Sequence, residues 1–363
     1  MAVQASPLRA TPSSRPSSTP SPTHKPAGRR RSSSPRIVGR LGLVALVLLV
    51  VCAASLTIGA RSVGVGTMID AVTAFDPANG DHAVVLSRVP RTVIGLLVGA
   101  ALAAAGAALQ GIARNPLADP GILGINAGAA LAVVVGIYVF GLSSASGYIW
   151  FAFVGAAAAA LIVYAVASIG REGATPVKLA LAGAALAAGL ASLTNAVLVS
   201  SQETLDTFRF WQVGTLSGRG WDVIGTVSPF LLVGLVLTLA TGKLLNSLAL
   251  GDDVARALGQ NVGLARGLAA LGVVILCGAA TAAAGPIGFV GLVIPHMVRL
   301  VVGADYRWIL PFSALLGPVL LLSADIIGRV VLPPGEVQVG IMTAVVGAPV
   351  FIWLVRRRRM AQL

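Results

Sequence analysis

TVIGLLVGAALAAAGAALQGIA, residues 92–113, runs for 22 residues without a charge. As a helix rising about 1.5 Å per residue it reaches roughly 33 Å, enough to cross the hydrocarbon core of a bilayer. The pair Arg88 and Arg91 precedes it in RVPR (88–91), and Arg114 with the proline-rich block NPLADPG (115–121) follows. Each flank is a specific polar sequence rather than a generic loop, so both ends of the span are candidate working faces.

The rest of the chain repeats this character. Hydrophobic residues make up 56% of the 363 residues and charged ones 11%, with mean hydropathy +0.89. A soluble domain carries about a quarter charged residues, so the bulk of this chain belongs in lipid. The net charge of +13 divides unevenly: residues 1–40 hold eight basic and no acidic residues, and the remainder carries +5. No basic helix interleaved with aromatics occurs, which argues against nucleic acid as a partner. Residues 1–37, rich in Ser, Pro, Thr and Arg, form an expected disordered cytoplasmic tail, and residues 38–363 the membrane domain. Cys52 and Cys277 lie in apolar runs and read as packing residues. The three histidines are scattered, so neither a metal site nor a cofactor is expected.

Charge-poor runs give ten expected spans, at about 38–60, 90–113, 118–140, 149–169, 178–200, 223–243, 263–284, 287–302, 309–331 and 337–355. The seventh and eighth are separated only by Gly285 and Pro286, which can end one helix and start another. An even count puts both termini on one side. With that side cytoplasmic, 20 basic residues face inward and six outward, as the positive-inside rule requires. Runs of glycine and alanine suit close helix packing in lipid without identifying a cargo.

Few motifs carry chemistry. Gly242 and Lys243 do not form a P-loop, because Leu244 follows and Leu237 stands where its first glycine is required. Asp325 is the clearest intramembrane acid, four residues from Arg329 and placed for a local ion pair. Between the sixth and seventh spans, LALGDDVARALG (248–259) reads as a short amphipathic cytoplasmic helix. Asp252 and Asp253 suit its start, Val254, Ala257 and Leu258 one apolar face, and Gly259 its stop. From the residues alone it is either a docking element or an interfacial linker.

RVPR (88–91), the Gly99–Gln110 helix, NPLADPGILG (115–124), LGDDVARALG (250–259), GPIGFVGLVIPHMVR (285–299) and GAPVF (347–351) together resemble the FecCD-type permeases. These are membrane subunits of type II ABC importers for ferric siderophores, cobalamin or haem. The resemblance runs from about residue 40 to the C-terminus, with the motifs in order. It implies an all-α permease of ten membrane helices that is not itself an enzyme. Its partners would be a second permease, cytoplasmic ATPase subunits that hydrolyse ATP, an extracytoplasmic substrate-binding protein and membrane lipid.

It also implies roles. Gly251, Asp252, Asp253, Val254, Ala255, Arg256, Ala257, Leu258 and Gly259 would form the ATPase-coupling element. Arg88, Arg91 and Arg329 would pair with glutamates of the binding protein. The fifth span, with parts of the third, eighth and tenth, would line the pathway, where Ser192, Thr194 and Asn195 are among its few polar groups. Helix packing explains those three equally well. Gln110 and Asn126 are expected to satisfy neighbouring backbone, and Asn115 and Asp119 to shape a rigid re-entrant turn. The leading expectation is an iron(III)-siderophore permease, with a cobalamin or haem permease as runner-up. An ion-driven secondary carrier is the competitor from another class, and the scarcity of intramembrane carboxylates argues against it.

Overall fold

The computed structural model describes residues 34–170, 175–333 and 335–360. The tail at 1–33 lies outside them, and the first helix already begins at Ser34. In chain order the helices are α1 (Ser34–Thr57), α2 (Val65–Thr73), α3 (Gly80–Ala113), α4 (Ile125–Phe140), α5 (Ala145–Ala167), α6 (Pro176–Ser200) and α7 (Gln202–Gln212). They continue as α8 (Trp221–Ala240), α9 (Gly242–Ala249), α10 (Asp252–Ala257), α11 (Val262–Ala284), α12 (Val290–Val302), α13 (Tyr306–Val331) and α14 (Val339–Met360).

Seven of these, α1, α3, α5, α6, α8, α11 and α13, are long and apolar enough to cross a membrane. The shorter apolar helices α4, α12 and α14 complete the ten expected spans. The chain is an all-helical integral membrane protein. Gly285, at φ 77°, caps α11 and separates it from α12, so the seventh and eighth spans are distinct.

The charge-free stretch forms the centre of the bundle. In its most apolar window α3 is 72% buried, against 6% for α1. It starts earlier than expected, at Gly80, where the Asn79 side chain accepts from the Asp81 amide. Arg88, Pro90 and Arg91 therefore lie inside the helix rather than before it. Small residues let neighbours close on α3 from several directions. Gly99 faces the backbone of Gly317 and Pro318 on α13, and Gly106 faces Gly291 on α12. Gly128 on α4 and Gly155 on α5 meet in the same way. A β-carbon at any of these four glycines would collide with backbone.

Arg114 ends α3 in a left-handed conformation, φ 49°. The block after it folds as the expected re-entrant turn. Asn115 Oδ1 accepts from the Leu117 amide at 2.9 Å and Asp119 Oδ1 from the Gly121 amide at 2.8 Å. A single 3-10 turn, Pro120–Leu123, then feeds α4. Gly291 approaches the Pro120 ring, which places this turn well inside the bundle.

Candidate functional site

Two polar clusters lie at opposite ends of α3. At the end that begins α3, four segments converge on Asp325, which is 1% exposed. Arg91 grips its carboxylate through Nη2 at 2.8 Å and Nε at 3.1 Å, and Arg329 Nη2 lies 3.2 Å from the second oxygen. Arg91 Nη1 also reaches Glu336 at 2.7 Å. Arg329 donates to the carbonyl and hydroxyl of Ser55 at 2.8 and 3.0 Å. Arg88 donates to the carbonyls of Leu56, Thr57 and Arg61 at 3.0, 3.1 and 2.6 Å. Leu56 and Thr57 end α1, where free carbonyls and the helix dipole favour a cation, and Arg61 lies in the loop that follows.

The three arginines that the resemblance assigns to the binding protein all have partners within the chain. Arg88 and Arg329 are buried, and the Arg91 side chain is 13% exposed. The i,i+4 pairing of Asp325 with Arg329 is present as expected. What the sequence could not announce is that Arg91, 234 positions away, shares the same carboxylate. Three cations and two carboxylates tie α1, α3, α13 and the segment before α14 together.

At the other end of α3 stands the segment expected to be the coupling element. The helix is shorter than the expected LALGDDVARALG, because Leu248 and Ala249 belong to α9 and Gly251 breaks the chain at φ 111°. Gly259, at φ 79°, follows the end of α10 as its stop signal required. Asp252 is pinned by two arginines, Arg114 at the end of α3 and Arg266 Nη2 of α11, the latter at 2.9 Å. Arg114 Nε also donates to the Leu248 carbonyl at 2.7 Å. Asp253 and Arg256 pair at the surface at 2.9 Å.

The orientation of α10 follows. Ala255 turns inward and is fully buried, whereas Val254 and Leu258 are 46% and 65% exposed and Ala257 is exposed beside them. An apolar face turned outward, on a short helix clamped to two core helices, suits a partner protein better than a linker. Arg114 and Arg266 are the site contacts that sequence reasoning missed. Neither adjoins the element in sequence, and only the fold brings them to Asp252.

The same end is braced elsewhere. Asn246 Nδ2 donates to Asp305 Oδ1 at 2.6 Å, and its Oδ1 accepts from the Tyr306 amide at 2.8 Å. Hydrogen bonds from Arg307 and Asn246 hold the Asp305 carboxyl down at about 2, outweighing its partial burial. Gln110 donates to the Gly291 carbonyl at 3.1 Å and accepts from Arg299 at 2.5 Å, so its polar group is satisfied within the bundle.

The fifth-span residues separate. Thr194 is buried and donates back to the Leu190 carbonyl at 2.8 Å, a packing arrangement. Ser192 and Asn195 share an exposed face of α6, with the Ser192 hydroxyl bonded to the Ala188 carbonyl at 3.0 Å. The sequence reading had no helix between residues 200 and 223. Yet α7 begins there, with Ser201 accepting from the Thr204 amide and Glu203 and Arg209 placed at the favourable ends of the dipole. Cys52 and Cys277 are free thiols, and no cluster of metal-ligating side chains occurs among the described residues.

The profile of the FecCD transport family matches residues 46–357. The siderophore transport system permease YfiZ of Bacillus subtilis is 46% identical over 329 residues, covering 90% of this chain and 98% of its own. The ferric enterobactin transport system permease FepD of Escherichia coli K12 is also 46% identical, over 86% of this chain and 93% of its own. A solved inward-facing structure of a metal-chelate type ABC transporter superposes with TM-score 0.78 at 30% identity. It covers 88% of this chain and 99% of that one. The central α3, the clamped α10 and these similarities together place the chain in the FecCD transport family, as a multi-pass membrane transport permease and not an enzyme.

Proposed function

We propose that this chain is the permease subunit of an ATP-driven importer for iron(III)-siderophores. It would form the pathway with a second permease, coupled to cytoplasmic ATPases and loaded by an extracytoplasmic binding protein. The observation that carries the coupling half of this reading is the outward apolar face of α10, pinned through Asp252 to α3 and α11. Cargo class is supported by relatives that carry siderophores and ferric enterobactin. The secondary-carrier reading is weaker, because Asp325 is locked between Arg91 and Arg329 and is unsuited to relaying protons. The test is uptake of labelled ferric siderophore, with cobalamin and haem alongside, into vesicles holding the complete complex. Uptake should vanish when the ATPase carries a dead catalytic site. Persistent uptake would overturn the pump, and selective uptake of cobalamin or haem would overturn the cargo.

In this reading both termini and α10 lie on the cytoplasmic side and the Asp325 cluster on the outer side. Docking at α10 gives a direct prediction. Changing Val254 and Leu258 together to Asp should lower ATP-dependent uptake by about tenfold or more, since both exposed side chains would sit in a desolvated interface. The melting temperature should hold, because neither side chain packs inside the bundle. Unchanged uptake by the folded variant would remove α10 from the coupling interface.

For the binding protein, Arg91 is the most accessible of the three arginines, through its outer Nη1. There an incoming carboxylate would displace Glu336, whose side chain is 34% exposed. Arg88 and Arg329 would support the site from beneath by fixing α1 and α13. Glu336→Gln, which removes the internal competitor, should tighten capture of the binding protein by about two- to fivefold, the scale of an exposed ion pair. Weaker capture would mean that Glu336 itself makes the contact. Ser192 and Asn195 are assigned to the pathway by their exposed face on α6, and Thr194 to packing.

A further inference from the structure

A cavity of about 1060 Å³ opens between α5 and α11, beside the coupling element and backed by α3. Its depth is apolar: Leu109 of α3, Leu161 of α5, and Leu271 and Val274 of α11 are among its walls. Its rim is cationic. Arg256 and Arg266 are its only charged lining residues among those described, and no carboxylate lines it. Leu161 and Leu271 are 68% and 51% exposed and continue the cavity wall onto the apolar outer faces of their helices, so the mouth opens sideways as well as towards α10. Apart from Leu123 and Leu179, none of its walls comes from the spans proposed to line the cargo pathway.

A deep apolar slot under paired guanidinium groups matches one chemical class. Acyl chains fill the slot without leaving polar groups unpaired. A phosphodiester at the level of the rim accepts from the arginines, as basic pockets between membrane helices do for anionic headgroups. A siderophore fits less well, because the polar lining groups Ser168, Gln260 and Asn261 lie at helix ends beside the arginines, leaving only Tyr164 further along α5. We propose that this cavity is a binding site for an anionic phospholipid, with its headgroup on Arg256 and Arg266 and an acyl chain between α5 and α11. The two arginines also hold Asp253 and Asp252 of the coupling element, so an anion on the rim shares their charge with the clamp on α10. Lipid charge would thus tune how firmly α10 is held. The proposed orientation names the leaflet only, and the site stands or falls independently of ATPase docking.

The test is native mass spectrometry of the full-length chain, purified from membranes and titrated with phosphatidylglycerol or phosphatidylcholine. A photoactivatable acyl chain maps the contact. Phosphatidylglycerol should be retained about tenfold more than phosphatidylcholine, with cross-links on α5 and α11. Joint replacement of Arg256 and Arg266 by Gln should abolish that preference. Gly267→Leu provides the fold-neutral arm. Gly267 lines the cavity, and a β-carbon built there meets nothing within 4 Å, so a leucine fills the slot without moving backbone. It should cut retention of phosphatidylglycerol by about tenfold while the melting temperature holds. Equal retention of the two lipids would overturn the proposal as annular lipid only. So would full phosphatidylglycerol retention in Gly267→Leu, or cross-links that fall on a second copy of the chain.

Discussion

Asp325→Ala should cost about 3–5 kcal/mol of stability, the largest effect expected of any single charge removal in this protein. The carboxylate is 1% exposed and neutralises Arg91 and Arg329 at once. Deleting it leaves two cations in a water-poor junction, where rearrangement of Glu336 can answer only Arg91. Thermal melts of the purified protein should show the loss, together with a fall in the amount recovered from membranes. Adding Arg329→Met should recover part of it, because the second change removes a cation that has lost its partner. A native melt for Asp325→Ala would mean that water or lipid headgroups already neutralise the cluster. The same geometry changes the design of a docking test. Reversing Arg88, Arg91 and Arg329 to Glu would unfold the junction before reporting on any binding protein, which is why Glu336→Gln is the better probe.

Gly106→Leu should be comparably damaging through packing alone. A β-carbon at Gly106 would overlap the backbone of Gly291, and backbone cannot step aside as a side-chain tip can. Forcing α3 and α12 apart should cost about 3 kcal/mol or more and abolish uptake with the folded protein. It would also pull Gln110 Nε2 away from the Gly291 carbonyl, leaving a buried polar group unpaired. Gly267→Leu on α11 is the matched comparison, the same substitution in open space. Equal melting temperatures for the two variants would show that α3 and α12 are less tightly apposed than their backbones indicate.

Much of the architecture was legible one segment at a time. Ten charge-poor runs became seven long apolar helices and three shorter ones, because lipid requires every backbone polar group to be satisfied within its own helix. The Asn115–Gly121 block and the Asp325–Arg329 pair were equally readable, since side chains there act on backbone or partners within one turn. The short helices were less so. Ser201 and Glu203 carried the signals for α7, but the polar stretch read as a loop. The second expected span began at about 90, whereas α3 starts 10 residues earlier and carries Pro90 in its interior.

The sequence by itself determined a polytopic helical permease and the position of the short helix proposed to couple it, since hydropathy, charge asymmetry and local motifs are properties of contiguous residues. The fate of its charges belonged to the tertiary structure. Arg88, Arg91 and Arg329 read as outer cations for a docking partner, with an internal mate foreseen only for Arg329, until α1, α3 and α13 converged around Asp325 and the end of α1. Arg114 and Arg266 had no visible role until folding carried them to Asp252. An arginine at a helix end is equally compatible with water, lipid headgroups or a carboxylate hundreds of residues away. Which it meets depends on the packing of distant helices, and here glycine-to-backbone contacts at Gly99 and Gly106 set that packing.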